Sequence, residues 1–184
     1  ALLHGFARAC TYFEVEAPGG VWVAGRTMEL GGGGGGLLQA AASSFWRVAL
    51  HPRGEELLGE SGRLGYVGVE AETQSVNLVS DGMNEAGLSV SLHTMRMAKY
   101  QEPDPTKASV LFLDVVPWLL SRADSVDAAM QALANVSVTT AGQLGPDDFT
   151  HWAVSDAEGK SVVVEYVNGV LEVHPNDVRV MIND

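Results

Sequence analysis

The chain contains one cysteine, Cys10, and charged residues follow it at the spacing of a short β-hairpin. A thiol becomes an effective nucleophile only as its thiolate, which requires a nearby base or cation. The turn sequence APGG, residues 17–20, separates two short apolar runs and predicts a pair of antiparallel strands. Such a hairpin would bring Arg26 and Glu29, which follow at the end of its second strand, back beside Cys10.

The base for this thiol could come from the cysteine itself. None of the five histidines can be singled out as the partner that a cysteine–histidine protease needs. If the chain were cut before Cys10, the new α-amine, which titrates at about pH 7.7–8.0, could act as the general base. The alternative is that Cys10 is simply a small buried hydrophobic residue.

The tripeptide Ala7-Arg8-Ala9 directly before Cys10 fits the small-residue pattern of a signal-peptide cleavage site. Residues 1–9 are therefore predicted to be a leader or the remnant of a signal peptide or propeptide. Secretion, or delivery to an organelle lumen, is the corresponding expectation for the compartment.

Composition excludes several classes of function. The net charge of −12 and the pI of about 4.7 argue against nucleic acid and anionic membranes as partners, because phosphate binding needs clusters of Lys and Arg. A single cysteine cannot form an internal disulfide or a cysteine-rich zinc site, and the histidines lack ligand spacing. No metal or cofactor is therefore predicted. No membrane span is predicted either, because no apolar run approaches about 20 residues.

The remaining pattern predicts an α+β domain over residues 10–184, with helices packed on antiparallel sheets. Two helices are predicted, at 110–122 with a kink or break at Pro117, and at 126–135 after the capping residue Ser125. Six consecutive glycines at 31–36 are predicted to be a surface insertion, because they lack the ending of a phosphate-binding loop. Strands are predicted at 11–15, 21–26, 44–50, 64–69, 75–79, 88–92, 150–155, 161–166, 170–174 and 179–182.

Several of these segments resemble the choloylglycine hydrolase family, which includes bile salt hydrolases and penicillin V acylases. The resemblance rests on CTYF at 10–13, GRTME at 25–29, DGMNEAGLSVSL at 81–92, PWLLSRADSVDAAMQAL at 117–133 and the final segment HWAVSDAEGKSVVVEYVNGVLEVHPNDVRVMIND at 151–184. It implies an N-terminal nucleophile hydrolase with an αββα sandwich, which cleaves linear, non-peptide acyl amides of small molecules. The acyl group is expected to be apolar.

The same resemblance implies a role for each matching residue. Cys10 would be the nucleophile, its freed α-amine the base, and Arg26 the cation that favours the thiolate. Glu29, where the family usually has Asp, would hydrogen-bond the α-amine. Asn84 and Asn183 would donate hydrogen bonds to the oxyanion. Simpler interpretations remain open. Arg26 and Glu29 could form an exposed ion pair of little energetic value. Asn84 could be favoured only as a turn residue, and Asn183 could lie in a frayed end.

Members of the family are usually much longer than this chain. The resemblance therefore predicts only the N-terminal part of the sandwich, with sheet edges and an apolar face left exposed. We expect such a face to associate with another chain or with the C-terminal part of its own fold. The alternative function is a catalytically degenerate family member that serves as an accessory subunit of a larger assembly.

Overall fold

The computed structural model describes residues 10–28, 46–72, 77–140 and 149–183. The predicted leader at 1–9, Glu29 and the polyglycine segment at 31–36 lie outside the described residues. Within them, the chain forms mostly antiparallel strands and two short α-helices. The elements in chain order are β1 (Thr11–Ala17), β2 (Val21–Thr27), β3 (Trp46–His51), β4 (Glu56–Leu57), β5 (Glu60–Ser61), β6 (Tyr66–Glu72), β7 (Asn77–Asn84), β8 (Ser89–Thr94), β9 (Ala108–Leu111), a 3-10 turn (Phe112–Asp114), α1 (Val115–Leu120), α2 (Val126–Ala134), β10 (Val136–Thr139), β11 (Thr150–Ser155), β12 (Ser161–Val167), β13 (Val170–Pro175) and β14 (Val180–Ile182).

Two sheets face each other to form the body of the fold. The larger has seven strands in the order β13-β12-β11-β8-β7-β6-β3, and each neighbouring pair in it is antiparallel. The smaller has three strands in the order β14-β1-β2. Tyr12 and Met181 of the small sheet pack on Ala153 of the large one. Helix α1 packs against β7 and β8 on the opposite face, so the layers run helix, sheet, sheet.

A buried carboxylate fixes the small sheet to the large one. Glu14 on β1 accepts hydrogen bonds from Tyr12 Oη at 2.8 Å and from Ser161 Oγ at 2.6 Å, and it pairs with Arg179 Nη1 at 2.8 Å. A buried charge is costly unless it is paired and hydrogen-bonded, and Glu14 satisfies both conditions. This anchor also fixes the start of β1, where Cys10 lies.

The predicted helix at 110–122 is confirmed over Val115–Leu120, which the 3-10 turn directly precedes, but its first two residues are wrong. Ala108–Leu111 is a strand that pairs in parallel with β10, which sequence reasoning did not predict. A short buried apolar run fits a helix or a strand equally well by periodicity, so the pattern could not separate them. Pro117 does not break the helix, because α1 begins at Val115 and Pro117 lies in the first turn, where no backbone donor is needed.

The second helix begins as predicted. Ser125 Oγ accepts a hydrogen bond from Ala128 N at 3.3 Å and so caps α2. The segment that was expected to link two strands after residue 79 is shorter than predicted, because β7 continues to Asn84. Only the four residues from Glu85 to Leu88 connect β7 to β8.

The outer face of the small sheet is apolar and exposed. Six side chains on β1, β2 and β14 have exposed fractions between 41% and 58%, namely Phe13, Val15, Val21, Val23, Val180 and Ile182. The large sheet has helices on its outer face, whereas none of the described helices covers the outer face of the small sheet. Among the described residues, no helix is long and apolar enough to cross a membrane.

Candidate active site

Cys10 lies directly before the middle strand of the small sheet and is 1% exposed. The β1–β2 hairpin pairs Tyr12 with Arg26, so the end of β2 returns to the start of β1 as predicted. Cys10 and Arg26 line the same small cavity of about 10 Å³. The other residues around this cavity are Met28, Trp46, Leu78, Ser80, Leu92, His93 and Thr94.

Arg26 is held in place by two partners on the large sheet. Its Nη1 donates to Asp81 Oδ2 at 2.7 Å and to the Leu92 carbonyl at 2.9 Å. The side chains of Arg26 and Asp81 are only 13% and 15% exposed, so this ion pair is largely shielded from solvent. The guanidinium is therefore fixed at the Cys10 cavity, with its charge balanced by a carboxylate.

A β-bulge brings Asp81 to this position. In the β6–β7 pairing Val69 lies opposite Asp81 and Glu70 opposite Val79, which leaves Ser80 as the extra residue. Bulges bend a strand and redirect its side chains. Ser80 consequently lines the Cys10 cavity, and its hydroxyl donates to Asp81 Oδ2 at 2.6 Å.

The other oxygen of Asp81 begins a relay of hydrogen bonds toward Cys10. Ser91 Oγ donates to Asp81 Oδ1 at 2.5 Å and lies 3.0 Å from His93 Nε2. Because Ser91 gives its single hydroxyl hydrogen to Asp81, it must accept the hydrogen of His93 Nε2. In the neutral ring, this arrangement makes Nδ1 of His93 the unprotonated nitrogen.

The environment of His93 keeps this ring neutral. Burial, the largest cause, acts together with the electrostatic effects of Arg26 and His151 to lower the pKa of His93 to about 2, against a smaller opposing contribution from the Cys10 backbone. The ring is 1% exposed, and its Nδ1 is buried without a hydrogen-bond partner among the described residues. The ring edge of His151 lies against it, with the centroids 6.4 Å apart.

Asn183, which directly follows β14, lies beside Cys10 and Thr94. Its backbone nitrogen donates to the Cys10 carbonyl at 3.3 Å, and its Oδ1 accepts from Thr94 N at 3.2 Å. Since the backbone of Thr94 can only donate, the amide must turn its oxygen toward Thr94. The two hydrogens on Asn183 Nδ2 make no hydrogen bond within the described residues.

Asn84, by contrast, is not part of this cluster. It is 4% exposed, and its Nδ2 donates to the carbonyls of Leu120 at 3.0 Å and Ala123 at 2.6 Å. Its Oδ1 accepts from the backbone nitrogens of Ala86 and Leu88. It lies three positions beyond Asp81 along β7, about 10 Å at the rise of a strand. Its amide hydrogens are used to hold the β7–β8 turn against α1, so the structure does not bring it to Cys10.

The family model of linear amide C–N hydrolases, choloylglycine hydrolase family, matches residues 10–184 of this chain. The chain belongs to the choloylglycine hydrolase family. The match begins at Cys10, the residue on which the local geometry converges. The described residues contain no group of three or more histidine, cysteine or acidic side chains that could hold a metal ion.

Curated relatives in the choloylglycine hydrolase family carry the name bile salt hydrolase/transferase. The one from Lactiplantibacillus plantarum is 33% identical over 122 residues, which is 64% of this chain and 37% of the relative. The one from Clostridium perfringens is 32% identical over 108 residues, which is 56% of this chain and 33% of the relative. The aligned part of the chain thus spans about a third of these relatives.

Solved structures of the family confirm the predicted sandwich fold. Conjugated bile acid hydrolase from Clostridium perfringens superposes with a TM-score of 0.77 at 24% identity, over 95% of this chain and 53% of that one. Penicillin V acylase from Agrobacterium tumefaciens superposes with a TM-score of 0.68 at 22% identity, over 94% of this chain and 51% of that one. The chain therefore corresponds to about half of the N-terminal nucleophile hydrolase fold in these proteins.

Among the residues that the family resemblance singled out, the structure brings together Cys10, Arg26 and Asn183. It does not bring Asn84 to them, and Glu29 lies outside the described residues. Sequence reasoning missed the acid that holds Arg26 and the relay that leads from it to the cavity. Its members are Asp81 and Ser91, which lie within the segment DGMNEAGLSVSL that carried part of the family resemblance, and His93, which directly follows that segment.

Proposed function

We propose that this chain belongs to a cysteine N-terminal nucleophile amidase, which hydrolyses small acyl amides after the bond between Ala9 and Cys10 is cut. The observation that carries the proposal is the convergence of Cys10, Arg26 and Asn183 on the start of β1. The family match that begins at Cys10 supports it. The comparisons give no support to the alternative of a degenerate accessory subunit.

In the first step, Sγ of Cys10 attacks the carbonyl carbon of the amide. The thiol proton passes to the freed α-amine of the same residue, which then donates it to the leaving nitrogen as the C–N bond breaks. This step releases an amine and leaves the acyl group on Sγ as a thioester. Arg26 supplies positive charge at the cavity where the thiolate forms.

The tetrahedral intermediate carries a negative oxygen that needs hydrogen-bond donors. Asn183 Nδ2 can serve as such a donor. The backbone N–H of Thr94 donates to Oδ1 of the Asn183 side chain, so the two hydrogens on Nδ2 are left for the substrate oxygen. One such donor contributes about 2.7–4 kcal/mol to the stability of the transition state. In the second step, water gives a proton to the α-amine and attacks the thioester. The acid is released and the thiol is restored.

The substrate is proposed to carry an apolar acyl group, such as a bile-acyl, fatty-acyl or phenoxyacetyl group. The names of the relatives support a bile-acyl group in particular. The cavity at Cys10 holds only about 10 Å³, which is far too small for an acyl chain. The half of the family fold that this chain does not span would form the acyl pocket.

The exposed outer face of the small sheet supports the prediction that this chain associates with further structure. Exposed apolar patches of this kind commonly mark interaction surfaces. The occupant would be the remainder of the family fold, in the same chain or in another. Export of the protein stays a prediction from Ala7-Arg8-Ala9, which lie outside the described residues.

The test is to determine the N-terminus of the protein by intact-mass spectrometry and to assay hydrolysis of a glycine-conjugated bile acid and of penicillin V. We expect a chain that begins at Cys10, and loss of all turnover in the Cys10→Ala variant. Substitution of Ala9 by Pro, which removes the last small residue of the predicted cleavage pattern, should retain residues 1–9 and also abolish turnover. Undiminished hydrolysis by a chain that still begins at Ala1 would refute the α-amine mechanism.

A further inference from the structure

A second, larger cavity lies on the helical face of the seven-stranded sheet, between the edge strands and α1. Its volume is about 240 Å³, and residues from β3, β6, β7 and α1 line it. It shares none of its lining residues with the Cys10 cavity. Four carboxylate side chains line it, namely Glu55, Glu56, Glu70 and Asp114.

Two of these carboxylates are already compensated by positive or polar partners. His51 lies between them, with Nδ1 2.9 Å from Glu55 Oε2 and Nε2 3.2 Å from Glu70 Oε2. Arg47 Nε donates to the other oxygen of Glu70 at 2.7 Å. Glu55 and Glu70 therefore each lie within hydrogen-bonding distance of at least one basic side chain.

Asp114 is different, because its carboxylate has no hydrogen bond or ion pair with any described residue. Burial alone raises its pKa above the ordinary value, since no cation lies close enough to offset the loss of solvent. A partly buried carboxylate without a counter-charge is energetically unfavourable. A bound cation would remove this penalty.

Tyr66 provides a second, independent polar group in the same cavity. It is 8% exposed, and its hydroxyl makes no hydrogen bond with the described residues. Burial raises its pKa, and the charges of Glu55 and Glu70 raise it further, so the phenol remains protonated. Its ring stacks on His51 with the centroids 4.3 Å apart and the planes 9° apart, which fixes the orientation of the hydroxyl.

The rest of the wall is apolar and comes from Leu57, Leu64, Val79 and Pro117. We propose that this cavity binds a primary alkylammonium ion, with its nitrogen between Asp114 and the Tyr66 hydroxyl and its alkyl chain against the apolar wall. An ammonium offers three hydrogens, which suit a carboxylate and a phenolic oxygen. Anions are disfavoured by the four carboxylates, and the described residues hold no cluster with the arrangement of a metal site.

The proposal is tested by isothermal titration calorimetry of the full chain with n-butylammonium chloride at pH 7 and constant ionic strength. The Asp114→Asn variant should bind at least about tenfold more weakly, as expected for loss of a charge-assisted hydrogen bond. Tyr66→Phe should bind about two- to tenfold more weakly, as expected for loss of a neutral hydrogen bond. Neutral n-butanol, which has the same chain length, should bind no more tightly than the ammonium ion binds to Asp114→Asn.

Asp177→Asn provides the matched control, because it removes the same charge from an exposed site outside the cavity. It should leave the affinity unchanged. Thermal unfolding checks the fold of each variant: n-butylammonium should raise the Tm of the unaltered protein and of Asp177→Asn, but not that of Asp114→Asn. Equal affinity in Asp114→Asn and the unaltered protein, equal binding of n-butanol, or no saturable binding would each refute the proposal. None of these outcomes depends on amide hydrolysis.

Discussion

Asp81 Oδ2 lies 2.7 Å from Arg26 Nη1, and this ion pair joins the small sheet to the large one at the edge of the Cys10 cavity. The same carboxylate accepts hydrogen bonds from Ser80 and Ser91. Asp81 therefore does more than balance a charge. It fixes the guanidinium from one side and, through Ser91, fixes the His93 ring from the other.

Substitution of Asp81 by Asn should destabilise the fold strongly. The change leaves the guanidinium of Arg26 shielded from solvent without a counter-charge, and removal of one partner from a buried pair costs about 3 kcal/mol or more. The midpoint of urea unfolding measures the loss. Asp127→Asn is the control, because it breaks the solvent-exposed pair with Lys160. Equal losses in the two variants would show that the Arg26–Asp81 pair has no special role.

Asn84 should prove to be a structural residue. Its side chain makes four hydrogen bonds in a buried turn, and Asn84→Ala leaves several of their partners unsatisfied. We expect a loss of about 3 kcal/mol in the free energy of unfolding. Asn135→Ala, which removes one exposed hydrogen bond, should cost much less. A catalytic role would instead appear as a stable protein with a large loss of turnover.

Asn183 should show the opposite behaviour. Asn183→Ala removes the proposed oxyanion donor, so kcat should fall about 10²- to 10³-fold. Stability should change little, because the side chain accepts a single hydrogen bond from Thr94. Asn183→Asp keeps that acceptor but loses the donors, and should be equally impaired in kcat assays with a glycine-conjugated bile acid. Normal turnover in either variant would exclude Asn183 from the oxyanion site.

The hairpin that carries Cys10 and Arg26 could be predicted from the sequence because its signals are local. A turn motif between two apolar runs fixes which residues pair, and the pairing alone returns Arg26 to the start of β1. The family resemblance then predicted the sandwich fold. The strands from residue 150 onward were predicted for the same reason, since each pair is joined by a short turn.

The role of the segment DGMNE could not be predicted in this way, because it depends on contacts distant in sequence. The bulge at Ser80 decides which side chain of β7 reaches Arg26, and no local pattern marks that bulge. Asn84 bonds to Leu120 at the end of α1 and to Ala123 just after it, 36 and 39 residues further along the chain. Gly82 is required because a Cβ there would lie 2.5 Å from Leu120 Cδ1. A motif can thus be recognised while the contacts of the residues within it stay unpredicted.

His93 should make the stability of the protein fall as the pH decreases below about 6.5. The unfolded chain takes up a proton on this histidine near pH 6.5, whereas the folded chain does not until about pH 2. The unfolded state therefore binds more protons between these values, and unfolding becomes easier by about 1.4 kcal/mol for each pH unit. The groups that face the ring, Arg26 and His151, act in the same direction.

The measurement is a series of urea-unfolding curves from pH 7.5 to pH 5 for the unaltered protein and for His93→Gln. Glutamine cannot take up a proton in this range, so the slope of stability against pH should decrease by close to one proton at its lower end. Val90→Ala serves as the control, since it weakens the same buried strand without removing a titratable group. It should lower stability at every pH and leave the slope unchanged. An unchanged slope in His93→Gln would mean that the imidazole is protonated in the folded protein, and the relay from Asp81 through Ser91 would then have to end in a cation beside Arg26.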